Sequence, residues 1–209
     1  MQEFSFSEKR GGTKMDMVLN LPDYPYVIEK IKGKIYRMAR PAIPHIEVGT
    51  AIAGILYNYF RGKKCKFFLE PQVLLGDSEV APDACVVCDI SKVQYAKIVG
   101  APDLAIEILS PSTGKKDRTE KRILYGEHGV KEYWIIDPKS GSVEIWLLPP
   151  DENELKLHDS VYFQTEADKE NLIKYGGQNM IVEDFTSPTF PDLTVKLSEL
   201  FEYMNHLPH

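Results

Sequence analysis

The 209-residue chain predicts a mixed α/β fold, a central sheet flanked by helices. Three observations carry that expectation. Ala84–Val87 and Leu104–Leu109 are short apolar runs of the length expected of buried strands. His45 to Phe60 and the stretch from Asp117 to about Glu127 have helical features instead. Strand and helix signals interleave along the chain rather than segregate, which calls for a sheet with helices packed on it.

Met1 to about Lys14 is polar and aperiodic, with Gly11-Gly12, and reads as a loose tail; residues 15–209 read as one domain. Tyr26 to Met38 alternates across Lys32-Gly33, the pattern of an extra N-terminal hairpin with Glu29 on its first strand. Pro41 to Pro44 is a loop. From His45 to Phe60 the apolar residues Val48, Ile52, Ile55, Leu56 and Tyr59 recur at helical spacing, and Arg61-Gly62 stops the helix. Lys66 to Leu75 is the next strand candidate, followed by the turn-rich Gly76-Asp77-Ser78. A polar segment around Ser91 to Gly100 separates the two apolar runs named first. Asp117 with Glu120 three positions later has the form of an N-cap and capping box, and Gly129 closes the helix. Tyr133 to Ile136 and Val143 to Leu148 are strands around Asp137-Pro138-Lys139-Ser140-Gly141. Beyond Pro149-Pro150 the pattern is of short C-terminal strands and loops, with Leu197 to Met204 a final helix.

A composition 43 % hydrophobic supports one sizeable core, and a net charge of −6 argues against holding nucleic acid by bulk electrostatics. Local basic clusters stand out all the same: Lys63, Lys64 and Lys66, and then Lys115, Lys116, Arg118, Lys121 and Arg122. The bland reading of both is solvated surface. No apolar run reaches the roughly 20 residues of a membrane span, and the start lacks a basic-then-apolar leader, so a cytoplasmic protein is expected. Cys65, Cys85 and Cys88 are an odd count with no disulfide framework, consistent with a reducing compartment. Cys85 and Cys88, spaced as CxxC, would point to opposite faces of a strand and do not read as a zinc site.

The chemistry lies in two acids. Asp83 and Glu107 each interrupt an apolar run, and a buried carboxylate needs a cation or donors to remain ionised. A divalent metal is the simplest such cation, and these carboxylates supply hard oxygen ligands. Asp103, after a second Pro-Asp, is an alternative ligand on the same strand face as Glu107; its bland reading is a turn residue. Lys121, four residues after Asp117 and with Tyr125 continuing its face, is the candidate positive group. Its bland reading is an ordinary surface pair with Asp117.

Pro82-Asp83 followed by Glu107-Ile108-Leu109 is similar to the PD-(D/E)xK pattern of restriction-endonuclease-like nucleases. The wider set resembles the Uma-two family of restriction-endonuclease-like proteins: Glu29 to Gly33, Pro44-His45, Pro102-Asp103-Leu104, Glu107 to Thr113, Asp117 with Lys121, Gly129 to Pro138, and Ser187 to Pro191. The resemblance runs from about Tyr26 to Phe201. It implies a restriction-endonuclease-like α/β fold, Mg²⁺ or Mn²⁺ as cofactor, and the main-chain carbonyl of Ile108 as a third metal ligand beside Asp83 and Glu107. It also implies DNA as partner and a homodimer, while the lack of a spanning apolar run leads us to expect no membrane association. The simplest pattern has lysine where Leu109 stands, and the resemblance supports Lys121 as its migrated replacement. Glu29, as a further carboxylate, and His45, which matches the family histidine, complete the expected catalytic set. Lys115, Lys116, Arg118 and Asp117 are expected at the substrate. Two other readings remain open: a catalytically degenerate binding module on the same fold, and a structural oligomer whose acids simply pair with Lys121 or Arg118.

Overall fold

A computed structural model describes residues 28–37, 40–111 and 113–206. The expected tail, residues 1–14, lies outside them. The order is β1 (Ile28–Ile31), β2 (Lys34–Arg37), α1 (Ile43–Phe60), β3 (Lys66–Leu69), β4 (Val73–Leu75), β5 (Ser78–Val80), β6 (Ala84–Val87), β7 (Ile98–Val99) and β8 (Leu104–Ile108). A continuous crossover helix follows as α2 (Gly114–Lys116), a π-helical segment (Asp117–Lys121) and α3 (Arg122–Glu127). Then come β9 (Glu132–Asp137), β10 (Ser142–Leu147), β11 (Lys156–Tyr162), α4 (Glu166–Lys174), β12 (Asp184–Thr186), β13 (Thr194–Lys196) and α5 (Leu197–Phe201).

The central sheet has six strands in the order β11-β10-β9-β8-β6-β3. Its β8–β9 pairing is parallel and its other pairings are antiparallel. A parallel pair needs a long crossover, and the helix from Gly114 to Glu127 supplies it. Both faces of β8 are covered, so all five of its residues are buried. On one face Leu104, Ile106 and Ile108 pack with Val48, Ile52, Leu56 and Phe60 of α1 and Leu197, Leu200 and Phe201 of α5. On the other, Ala105 packs with Leu124 and Tyr125 of α3 and with Ile31, Val73 and Val80 of a second sheet. That second sheet, β2-β1-β5-β4-β7, contains the expected N-terminal hairpin.

Several expectations need correction. Lys66 to Leu75 is two strands, because Glu70 takes a positive φ of 47° and Pro71 offers no N–H; β3 and β4 then join different sheets. Two strands were hidden in turn-rich sequence: β5 pairs with β4 across Gly76-Asp77, and β7 lies in the polar segment, held parallel to β4 by tertiary pairing. Asp117 is no N-cap. Its φ and ψ of −66° and −42° are helical, three residues inside a helix that starts at Gly114, and no capping box with Glu120 forms. The real capping box is Thr165 with Asp168 at α4, a helix with no buried residue and so no apolar periodicity to betray it. The final helix is α-helical over Leu197–Phe201 and tightens to 3₁₀ over Glu202–His206. Cys65 and Cys88 form a disulfide, against the expectation that the cysteines stay reduced, while Cys85 is free and buried.

Candidate active site

The antiparallel register Ala84↔Ile106 sets Asp83, just before β6, beside the end of β8 that carries Glu107 and Ile108. Asp83 Oδ2 accepts the Ile108 N–H at 2.6 Å, and Oδ1 lies 3.3 Å from His45 Nε2 in the first turn of α1. Both side chains are only slightly exposed, 16 % for His45 and 17 % for Asp83. Burial opposes protonation of His45, yet the hydrogen bond and charge of Asp83, helped by Glu70 and the main chain of Ile108, raise its pKa above the usual imidazole value.

Alternation along β8 turns Glu107 to the face covered by the crossover helix. Its Oε1 accepts from Lys121 Nζ at 2.7 Å and from Tyr125 Oη at 2.7 Å. Lys121 Nζ also lies 2.6 Å from Glu29 Oε1 and 3.9 Å from Asp117 Oδ1. Glu29, on β1, arrives from the second sheet; its Oε1 takes the Ala81 N–H at 2.9 Å and its Oε2 takes Lys116 Nζ. Glu29 and Lys121 are fully buried, Asp117 and Glu107 almost so. Among the described residues Asp117 Oδ1 has no hydrogen-bond partner.

Three buried carboxylates (Glu29, Glu107, Asp117) thus share two ammoniums (Lys116, Lys121), with Asp83 close by on His45, an excess of negative charge in a low-dielectric place. The consequence appears in their protonation. Burial, aided by the charges of Asp117, Asp83 and Glu29, pushes the Glu107 pKa well above the carboxylate range despite Lys121. Burial likewise raises Asp117. Burial pushes Glu29 the same way, but Lys121 and Lys116 outweigh it and hold Glu29 low. Lys121 goes up: burial opposes its charge, but Glu107, Glu29 and Asp117 overcome that. A site that would rather bind protons than hold bare charge is one that a cation can complete.

A sequence model of the Uma2 family, described as "Putative restriction endonuclease", matches residues 16–176. The chain belongs to the Uma2 family. Among curated proteins, this Uma2 chain is 25 % identical over 122 residues to an uncharacterized protein of Synechocystis sp., an alignment covering 56 % of this chain and 64 % of that protein. Among solved structures, a "putative nuclease belonging to DUF820" from Anabaena variabilis is similar with a TM-score of 0.64 and 22 % identity, covering 89 % of this chain and 96 % of the other. At that identity the likeness is one of fold.

In this Uma2 protein the expected residues divide into two groups. Asp83, Glu107, Ile108, Lys121, Glu29 and His45 come together at one end of β8. Of the expected substrate residues, Lys115 is exposed, whereas Lys116 is buried on Glu29 and Asp117 is turned inward on Lys121. Arg118 pairs with Glu144 at 2.9 Å and lies 3.7 Å from Asp137. Asp103, the alternative ligand, sits at the opposite end of β8, where it accepts from Lys131 Nζ and the Cys88 N–H, both at 2.7 Å. Tyr125, read only as continuing a helical face, is a direct partner of Glu107; its place four residues after Lys121 was the available signal. Among the described residues no three His, Cys, Asp or Glu side chains stand as a ready-made metal cluster. Any metal here would rest on two carboxylates and main-chain oxygen, with water completing the shell, as suits Mg²⁺.

Proposed function

We propose that this Uma2 protein is a metal-dependent DNA endonuclease of PD-(D/E)xK type, with its lysine supplied by the crossover helix. The single observation that carries the reading is the excess of buried carboxylate over ammonium at the end of β8. Asp83, Glu107 and the Ile108 carbonyl would hold Mg²⁺ or Mn²⁺. When bound, the ion would lower the pKa of a coordinated water and neutralise charge on the phosphorane. The chain's own part is to hold that geometry. Lys121 and Tyr125 fix one oxygen of Glu107, the Ile108 N–H fixes one oxygen of Asp83, and His45 steadies the other. The orphan Asp117 oxygen, close to Lys121, is an acceptor through which that lysine could exchange partners as substrate enters. Cutting both strands of a duplex calls for two sites, which motivates a homodimer.

The test is incubation of purified protein with Mg²⁺ or Mn²⁺ and supercoiled, linear or single-stranded DNA, beside Asp83→Ala and Glu107→Gln. The reading expects cleavage by the wild type alone. Intact DNA with folded protein, or equal cleavage by Asp83→Ala, would overturn it. One observation favours a second reading, a degenerate binding module: Lys121 is wholly buried in pairs with Glu29 and Glu107 rather than open to a substrate. Calorimetry separates the two, since a degenerate site takes up no Mn²⁺ in a manner dependent on Asp83 and Glu107.

A further inference from the structure

At the other end of β8 from the carboxylates lies a groove of about 760 Å³. Lys63, Lys64 and Lys66 reach it from the link between α1 and β3 and from β3 itself, Lys92 from the 3₁₀ turn after β6, and Lys131 from the approach to β9. Two acids share the lining, Asp89 and Asp103. Among the described residues, five ammoniums against two carboxylates make a positive site on a protein whose net charge is −6.

The acids are already engaged. Asp89 caps the 3₁₀ turn, accepting from Ser91 N and Oγ at 3.1 and 2.7 Å, and Asp103 is held by Lys131 and the Cys88 N–H. Several of the lysines, by contrast, rest on groups that leave their charge standing. Lys92 Nζ donates to the Ala101 carbonyl at 2.8 Å, Lys66 Nζ to the Lys63 carbonyl at 2.9 Å, and Lys63 Nζ sits 3.1 Å over the Tyr59 ring. Each ammonium has three donors, so one neutral acceptor orients it and leaves others for an anion. The Cys65–Cys88 disulfide ties the two walls together, joining the α1–β3 link to the end of β6. Among the described residues no aromatic side chain lines the groove, so the usual platform for stacking bases is missing there and phosphate is the chemistry to be recognised.

Resting on the nuclease reading for the identity of the polyanion, we infer that this groove is a second nucleic-acid site. It takes the phosphodiester backbone of a strand, without base preference, and positions substrate from the far end of the sheet. Such contacts release counterions, so each lysine engaged on duplex DNA adds about 0.9 to the slope of log K against log salt.

The test compares wild type with the Lys63→Ala/Lys64→Ala/Lys66→Ala variant, all three being exposed positions and none paired with a groove carboxylate in the structure. Anisotropy of a labelled random-sequence duplex is followed across a salt series, with EDTA present to prevent cleavage. The expected result is weaker binding by the variant, with its salt slope reduced by roughly 0.9 per engaged lysine and equally on unrelated sequences. Mn²⁺ uptake at the carboxylates, measured in the absence of EDTA, should be unchanged, which also certifies the fold. Equal affinity and slope in the two proteins, or no duplex binding by wild type at low salt, overturns the groove. Loss of the nuclease reading shows separately, as wild type that takes up no Mn²⁺ and cuts no DNA.

Discussion

Lys116 and Lys121, five residues apart on the crossover helix, reach the same carboxylate, Glu29, one at each oxygen. In a regular α-helix residues five apart stand about 140° apart around the axis, given about 100° per residue. The π-helical segment Asp117–Lys121 explains the meeting, because its wider turn brings positions five apart toward one face. Lys121 also serves Glu107, so its removal strands two buried carboxylates. Lys121→Met is expected to lower stability by about 3 to 5 kcal/mol, the range for breaking a buried pair from one side. Lys116→Met should cost less, since Glu29 keeps Lys121. Urea midpoints of the metal-free proteins decide it, and equal losses would contradict this division of labour.

The raised Glu107 pKa has a signed consequence for the metal-free protein. A group whose folded pKa exceeds its unfolded value favours folding at low pH and loses that contribution as pH rises from about 4.3 through the folded value. Relative to Glu107→Gln, which cannot titrate, the wild type should therefore lose stability as pH increases through that window. Glu29, held low by Lys121 and Lys116, has the opposite sign and loses its contribution only as pH falls below the usual carboxylate range. Metal binding at Glu107 would displace protons, so Mn²⁺ affinity should tighten with rising pH. Calorimetry in two buffers of different ionisation enthalpy should register proton release. A Mn²⁺ affinity flat with pH would rule out a protonated Glu107.

How far this was legible in the sequence depends on the kind of signal. Asp83 and Glu107 stood out because a carboxylate inside an apolar run is a local anomaly, and the structure brings them to the same end of β8; Ala84–Val87 is a strand with the bounds its apolar run suggested. Glu29 lies on the expected hairpin strand, but whether it faced solvent or core depended on a second sheet whose members, β5 and β7, sit in turn-like and polar sequence. The π turn was invisible for another reason. Asp117 and Glu120 spell a good capping box, but the helix already begins at Gly114, so Asp117 lies inside it, and nothing in the local sequence marks the wider turn that follows. The Cys65–Cys88 pairing was equally hidden, since it depends on β3 lying against β6.

Glu132 is a buried acid with a structural use. Its Oε1 accepts from Trp134 Nε1 at 2.6 Å, and its Oε2 from Ser187 Oγ and the Thr189 N–H, both at 2.8 Å. The Ser187 to Pro191 segment, between β12 and β13, is thereby pinned to the central sheet. Glu132→Gln replaces an acceptor by an NH₂ group facing donors, which should cost about 1 to 3 kcal/mol. Hydrogen exchange should accelerate at β12 and β13 while Mn²⁺ uptake at the other end of the sheet is preserved. Loss of metal binding together with protection would mean that Glu132 supports the site as well.

The Cys65–Cys88 disulfide closes a 23-residue separation that includes β3, β4, β5 and β6, the last preceded by Asp83. Cross-linking a loop of that size restricts the unfolded chain and should stabilise the fold by about 3 kcal/mol. Cys88→Ser, or reduction of the wild type, is expected to lower the melting temperature, with reductant having no further effect on the variant. The loss should fall on unfolding rather than on cleavage, because the Asp83–Ile108 and Lys121–Glu107 contacts do not pass through either cysteine. Identical melting with and without reductant, in protein whose free-thiol titration shows the bond intact beforehand, would remove the disulfide from the stabilising interactions. A reduced protein that melts normally but binds duplex DNA more weakly would place its effect on the lysine groove instead.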